Sequence, residues 1–189
     1  MSAHPAATAA VAGRVVGSSP LRIFGLPSGE RLHRQLARAG AGAGAAAEAV
    51  ARIVLLRADW VFDDALVRGL VKSGDDVALA ADNGECVALV VPVSRADEAS
   101  RVLLERRAPP GLRVVDATDV ADGYNKTLRK REVPYLMPLD AAGLPAIERR
   151  IFSAVYKGVT DLVTIYFWPA PALVVTRYCA RVGITPNQV

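Results

Sequence analysis

The chain has 189 residues, 52% hydrophobic and 6% aromatic, with 23 Lys and Arg against 19 Asp and Glu for a net charge of +4. This suffices for one domain of ordinary size, or for a smaller domain with an appendage. No segment offers the roughly 20 nearly uncharged apolar residues of a membrane span, and Cys86 and Cys179 lack the CxxC or histidine companions of a zinc site, which points to reduced thiols.

In chain order, residues 1–12 are small and alanine-rich and read as a flexible start without the basic-then-apolar pattern of a secretory signal. Short strands are expected at 14–16 and 21–24, separated by a Gly17-Ser18-Ser19-Pro20 turn. Ser28 precedes 30–39, where Leu32, Leu36 and Ala39 share a face, so a capped amphipathic helix is expected, followed by a low-complexity Ala/Gly run over 39–47.

The clearest strand is 53–57, an apolar run of the kind buried in a parallel sheet, and Asp63 or Asp64 is placed to cap a helix over 65–72. Next, 76–81 and 86–91 flank Asp82-Asn83-Gly84-Glu85, and Asn-Gly between apolar runs signals an antiparallel hairpin. A helix over 94–107 turns Ala96, Ala99, Val102 and Leu103 inward and stops at Pro109-Pro110-Gly111. A strand at 112–115, a polar connection at 116–124 and a basic surface at 126–132 follow, and Asp140 stands as a cap for a closing helix. Strand, helix, strand, helix, hairpin, helix, strand is an α/β layout with an open, mixed but mainly parallel sheet.

In such sheets ligands sit beyond the carboxyl ends of the strands, where Asp59 falls after 53–57. With Asp63 and Asp64 one turn on, Asp59 is the candidate ligand of a magnesium or manganese ion against a nucleotide phosphate. The plainer alternative is that Asp59 only ends the strand and Asp63 only caps the helix.

In 144–189, Ile147, Ile151, Val155, Val159, Leu162 and Tyr166 recur at helical spacing, with Arg150, Ser153, Lys157, Thr160, Asp161 and Thr164 opposite. Lys157, Asp161, Pro169 and Pro171 rule out a comfortable bilayer crossing; a helix lying along a surface fits, with Tyr166, Phe167 and Trp168 as interfacial aromatics. A second short helix over 172–181 carries Arg177 and Arg181 on one side. Lys126, Arg129, Lys130, Arg131, Lys157, Trp168, Arg177 and Arg181 are the candidate contacts to an anionic membrane face or a phosphorylated ligand. The alternative is a pair of core helices. Nucleic acid is not expected as a partner, because no aromatic residues interleave the basic run. Thr185 and Pro186 open a helix of which only three residues follow, so the chain is expected to be a piece of a longer protein.

Tyr156-Lys157-Gly158-Val159-Thr160-Asp161 and Gly183-Ile184-Thr185-Pro186-Asn187-Gln188-Val189 resemble the segment ahead of the first membrane helix of CDP-alcohol phosphatidyltransferases, over about the last 35 residues. The resemblance implies a DGxxAR…GxxxDxxxD signature, whose aspartates hold metal ions and the CDP-alcohol, beyond Val189; there a hydroxyl attacks the β-phosphate of the CDP-alcohol and releases CMP. The order of parts over about 15–115 is similar to the sugar-phosphate nucleotidyltransferases, the GT-A-like domains, and implies Asp59 as the metal-binding aspartate. Their glycine-rich GxGxR loop is not present; Gly13-Arg14-Val15-Val16-Gly17 stands in its place. Joined, the two resemble bifunctional enzymes similar to inositol-phosphate cytidylyltransferase / di-inositol-phosphate-phosphate synthase.

The expectation is a flexible start at 1–12, a nucleotidyltransferase-like α/β domain at 13–140 and amphipathic helices at 141–189 leading to a membrane domain. The function implied is phospholipid or phosphodiester synthesis at the cytoplasmic face of a membrane, with CDP-alcohol or CTP as ligand and a homodimer formed through the membrane domain. An active CTP-dependent sugar- or inositol-phosphate cytidylyltransferase, and a non-catalytic module docking on membrane or partner, are the alternatives.

Overall fold

The computed structural model describes residues 10–42, 50–121, 124–125, 130–131, 134–155 and 169–183. Expectations for the opening nine residues, the Ala/Gly run over 43–47, the far half of the closing amphipathic pattern and the Thr185-Pro186 helix start lie outside them.

In chain order the elements are β1 (Ala10–Val16), β2 (Arg22–Ile23), β3 (Leu26–Pro27), α1 (Ser28–Ala39), β4 (Val50–Arg57), β5 (Trp60–Phe62), α2 (Asp64–Lys72), β6 (Val77–Ala80) and β7 (Cys86–Pro92). After a 3-10 turn at Val93–Arg95 come α3 (Ala96–Leu104), β8 (Arg113–Val115), α4 (Ala117–Val120), β9 (Tyr124–Asn125), β10 (Lys130–Arg131), β11 (Leu136–Pro138), α5 (Leu144–Val155) and α6 (Pro169–Val182). The central sheet has five strands in the order β1-β4-β7-β6-β8. β1 and β4 pair in parallel, as do β6 and β8, while β7 is antiparallel to both of its neighbours. Four strands therefore run one way and one the other, the mixed, mainly parallel open sheet that the order of elements predicts.

Alternation along β4 divides the core. Val54 and Leu56 face α1 and α2, joining Leu32, Leu36, Val67 and Leu70. Ile53 and Leu55 face the other way, joining Ala96, Ala99 and Leu103 of α3. Helices thus cover both faces, and the strand reads as a continuous apolar run because neither side meets water. A third cluster, Ile23, Val61, Leu139 and Ile147, seats α5 against the edge of the domain.

Two local signals behave as read. Gly84, at φ 80°, closes the β6–β7 hairpin, and Asp63 caps α2 by accepting from the Ala65 amide at 2.9 Å. Others differ. β1 starts at Ala10, earlier than the strand expected at 14–16, because Ala10–Val16 finds a full parallel partner in β4. Ser28 makes no capping bond within α1; its hydroxyl donates to the Ala58 carbonyl at 2.6 Å and ties the start of α1 to the loop after β4. Asp140 does not cap α5 directly but accepts from the Gly143 amide at 2.6 Å, in the turn one residue ahead of the helix. The polar connection at 116–124 contains α4, capped by Asp116, whose carboxylate Thr118 holds below the usual range.

Candidate functional site

The carboxyl end of β4 meets the start of β7 across the β6–β7 turn. Arg57, the last residue of β4, is 3% exposed, and its guanidinium reaches both sides of this junction. Its Nε donates to Asp59 Oδ1 at 3.0 Å and its Nη2 to Asp59 Oδ2 at 2.5 Å. Nη1 donates to Glu85 Oε2 and to the Cys86 carbonyl, both at 3.1 Å. Glu85 also accepts from Arg106 at 3.1 Å on its other oxygen. Burial works against the charge on Arg57, but Asp59 and Glu85 outweigh it, so its pKa lies above the usual value. The neighbouring Cys86 thiol is pushed up to about 11, mainly by burial, with the Ala88 carbonyl contact and Arg57 acting the other way.

Two acids and two arginines close on one another here, leaving no surplus charge. Each Asp59 oxygen accepts one bond from Arg57 and keeps a lone pair besides, and the side chain is 40% exposed. Asp63 spends one oxygen on the α2 cap, and Asp64 accepts at 2.5 Å from Nε2 of Gln35, on the buried face of α1. Among the described residues no three His, Cys, Asp or Glu side chains come together as a metal site. A divalent ion at Asp59 would have to share the carboxylate with the Arg57 guanidinium, whose positive charge opposes it.

The candidate membrane contacts are dispersed. Lys126, Arg129, Lys157 and Trp168 lie outside the described residues, and Lys130 and Arg131 form β10, paired with β9. Arg177 turns inward: its Nε donates to Glu148 Oε2 at 2.7 Å and its Nη2 to the Pro145 carbonyl at 3.3 Å, tying α6 to α5. Arg181 is exposed. Val174, Val175, Tyr178 and Val182 of α6 are each more than half exposed, at 67%, 58%, 63% and 52%, and their spacing puts them on one side of the helix.

A feature not read from the sequence is an open cleft of ≈ 1110 Å³ between α1, the β2–β3 turn, Tyr135, α5 and α6. One wall is cationic. Arg31, Arg34 and Arg38 stand at i, i+3 and i+7 on the side of α1 away from Leu32 and Leu36. Arg34 pairs with Glu30, Arg38 lies 3.9 Å from Asp64, and Arg31 donates to Gln35 Oε1 at 3.1 Å. Burial raises the Tyr135 hydroxyl above its ordinary pKa; Arg31 acts against that shift, and Asp63 and Asp64 add to it. The other wall is apolar, from Ile23, Phe24, Leu26 and Ile151. Phe24 holds φ 48°, a left-handed conformation that costs a bulky residue about 1–2 kcal/mol. Its amide donates to Glu148 Oε1 at 3.1 Å, the acid that also holds Arg177. The arginine spacing is visible in the sequence, but the wall that faces it joins the nearby Ile23, Phe24 and Leu26 to Ile151, more than a hundred positions away.

No protein-family model matches the chain, and no curated protein matches it.

Proposed function

We propose that this chain is the water-facing part of a CDP-alcohol phosphatidyltransferase of phospholipid or phosphodiester synthesis, whose nucleotidyltransferase-like domain serves as a scaffold and does not itself transfer nucleotide. The observation that carries this reading is the row Val174, Val175, Tyr178 and Val182 along α6, an exposed apolar stripe suited to the headgroup boundary of a bilayer. No helix among the described residues is long and apolar enough to cross a membrane, so the contact made by this part is along the surface. The Tyr156–Asp161 and Gly183–Val189 motifs supply the family, and the magnesium or manganese ion of that family goes with its aspartate signature. Closure of Asp59 by Arg57 supports the scaffold role. Flotation of the purified chain with phosphatidylcholine vesicles, with and without anionic phosphatidylglycerol, tests the reading. Retention by anionic vesicles, weakened by salt and lost in Val174→Asp/Tyr178→Asp, is expected; no retention, or equal retention by the double variant, removes it.

The second reading is an active CTP-dependent cytidylyltransferase, favoured by the position of Asp59 at the carboxyl end of β4. It requires CTP-dependent pyrophosphate release that Asp59→Ala abolishes, and a chain that neither binds CTP nor releases pyrophosphate eliminates it.

A further inference from the structure

We propose that the cleft between α1 and the α5–α6 pair binds a phosphate-bearing ligand with an apolar portion, Arg31, Arg34 and Arg38 taking the phosphate and Ile23, Phe24 and Ile151 the apolar part. The inference stands apart from the membrane reading, since it uses a different face of the molecule.

Charge comes first. The cleft lining contains three arginines and one acid, Asp64, and that acid is already shared with Gln35. Arg31 is half-buried, and among the described residues no carboxylate lies within ion-pair distance of it; its partners Gln35 and Tyr135 are neutral. A half-buried cation with no carboxylate in ion-pair contact among the described residues attracts an anion. Residue type narrows the choice: planar guanidinium groups donate in pairs, and three of them on one helix face offer more donors than a carboxylate's two oxygens use. A phosphate ester, with its larger charge and three oxygens, matches that supply.

Shape comes second. A volume of ≈ 1110 Å³ exceeds what a phosphate alone fills, and the wall opposite the arginines is apolar. Phe24 supplies an independent sign. A two-residue hairpin turn with both φ angles positive, 48° at Phe24 and 76° at Gly25, favours Asn or Gly at each place. Here the strained position carries a phenyl ring, and that ring lines the cleft. The turn demands the left-handed backbone but not a phenyl ring on it, and strain of that kind gathers where ligands bind.

The test is calorimetric titration with dihexanoyl phosphatidic acid below its micelle concentration, beside glycerol phosphate and dihexanoyl phosphatidylcholine. Saturable binding of the first, weaker binding of the other two and weakening with salt are expected. The triple variant Arg31→Gln/Arg34→Gln/Arg38→Gln loses about 100-fold in affinity. A triple variant with the same charge change at exposed positions elsewhere, Arg101→Gln/Arg107→Gln/Arg113→Gln, keeps its affinity. Phe24→Asn removes the ring from the cleft and binds more weakly, with circular dichroism confirming that the variant, which also loses packing against the cluster of Ile23 and Ile147, is folded at the titration temperature. Vesicles of phosphatidylcholine with and without phosphatidic acid then separate the sources. Retention dependent on the α1 arginines assigns the phosphate to a bilayer lipid, and arginine-dependent binding of the soluble ester alone assigns it to a free molecule. Absence of saturable binding, or equal binding by the α1 triple variant, overturns the proposal.

Discussion

Asp59→Ala separates the two roles open to this carboxylate. If Asp59 is held for a ligand, removing it relieves the fold of a constraint and leaves stability unchanged or raised. If it closes on Arg57, its loss strands two donors of a guanidinium whose side chain is 4% exposed. A buried charged group left without partners costs about 3–5 kcal/mol when isolation is complete. Here it is not: Glu85 and the Cys86 carbonyl still accept from Nη1, and the Asp59 side chain is 40% exposed, so water screens part of the pair. The expected loss is about 2 kcal/mol, or about 4–8 °C in Tm for a domain of this size. Urea unfolding at neutral pH measures it. Arg57→Met provides the second arm, and the double variant is expected to cost about 1 kcal/mol less than the two single changes added, because neither leaves the other's partner stranded. An Asp59→Ala protein as stable as the parent, with additive single effects, refutes the closed fork.

Cys86 makes stability depend on pH at the alkaline end. Its folded pKa of about 11 stands above the ordinary 9.0, so the stability it contributes is complete below pH 9.0 and is lost as pH rises towards 11. The loss is about 2–3 kcal/mol. Cys86→Ala is expected to flatten that part of the pH profile, leaving a decline of the same sign from Tyr135; an unchanged profile counts against a buried thiol. Gly69→Ala places a Cβ 2.2 Å from the Val120 carbonyl oxygen, so α4 must shift, and a loss of about 1–3 kcal/mol is expected in chemical unfolding. At Gly74 a Cβ meets nothing within 4 Å, and alanine there is expected to be neutral or slightly stabilising. Val174→Asp/Tyr178→Asp removes apolar side chains that are mostly in water, so its melting temperature is expected to match the parent's while vesicle retention falls.

Features fixed within a few residues were legible in the sequence. The Asn83-Gly84 hairpin, the apolar run of β4 and the Asp63 cap each follow from local chemistry, and each stands where it was read. Pairings of distant segments were not. β5 and β11 have three residues each and come together across more than seventy positions, so neither has a periodicity to detect. Ser28 has the residue type and place of a cap, but the Ala58 carbonyl, thirty positions on, competes for its hydroxyl and wins. Asp59 shows the same limit at the candidate site. Its identity and position suggest a ligand to metal, while its availability depends on where Arg57 points, and that is set by Glu85 and by Cys86 at the start of β7.

The arginines divide the molecule's electrostatics. Arg57 is buried with its countercharges beside it, so an ion or phosphate brought to the end of β4 competes with the two hydrogen bonds that tie Arg57 to Asp59. Arg31, Arg34 and Arg38 face open volume with two acids, Glu30 and Asp64, between them, and an anion arriving there competes with the solvent-exposed Arg34–Glu30 pair, the long Arg38–Asp64 contact and the Arg31–Gln35 hydrogen bond. Exposed pairs of that kind are worth about 0–1 kcal/mol each, whereas opening a buried pair costs several times as much. For an anionic ligand the balance therefore favours the α1 cleft over the strand end at which open α/β sheets ordinarily bind. Glu148 gives that cleft a link to the closing helices: one of its oxygens holds the Phe24 amide and the other holds Arg177 of α6. A ligand that touches Phe24 therefore contacts a residue whose amide is held by the same carboxylate that ties α6 to α5.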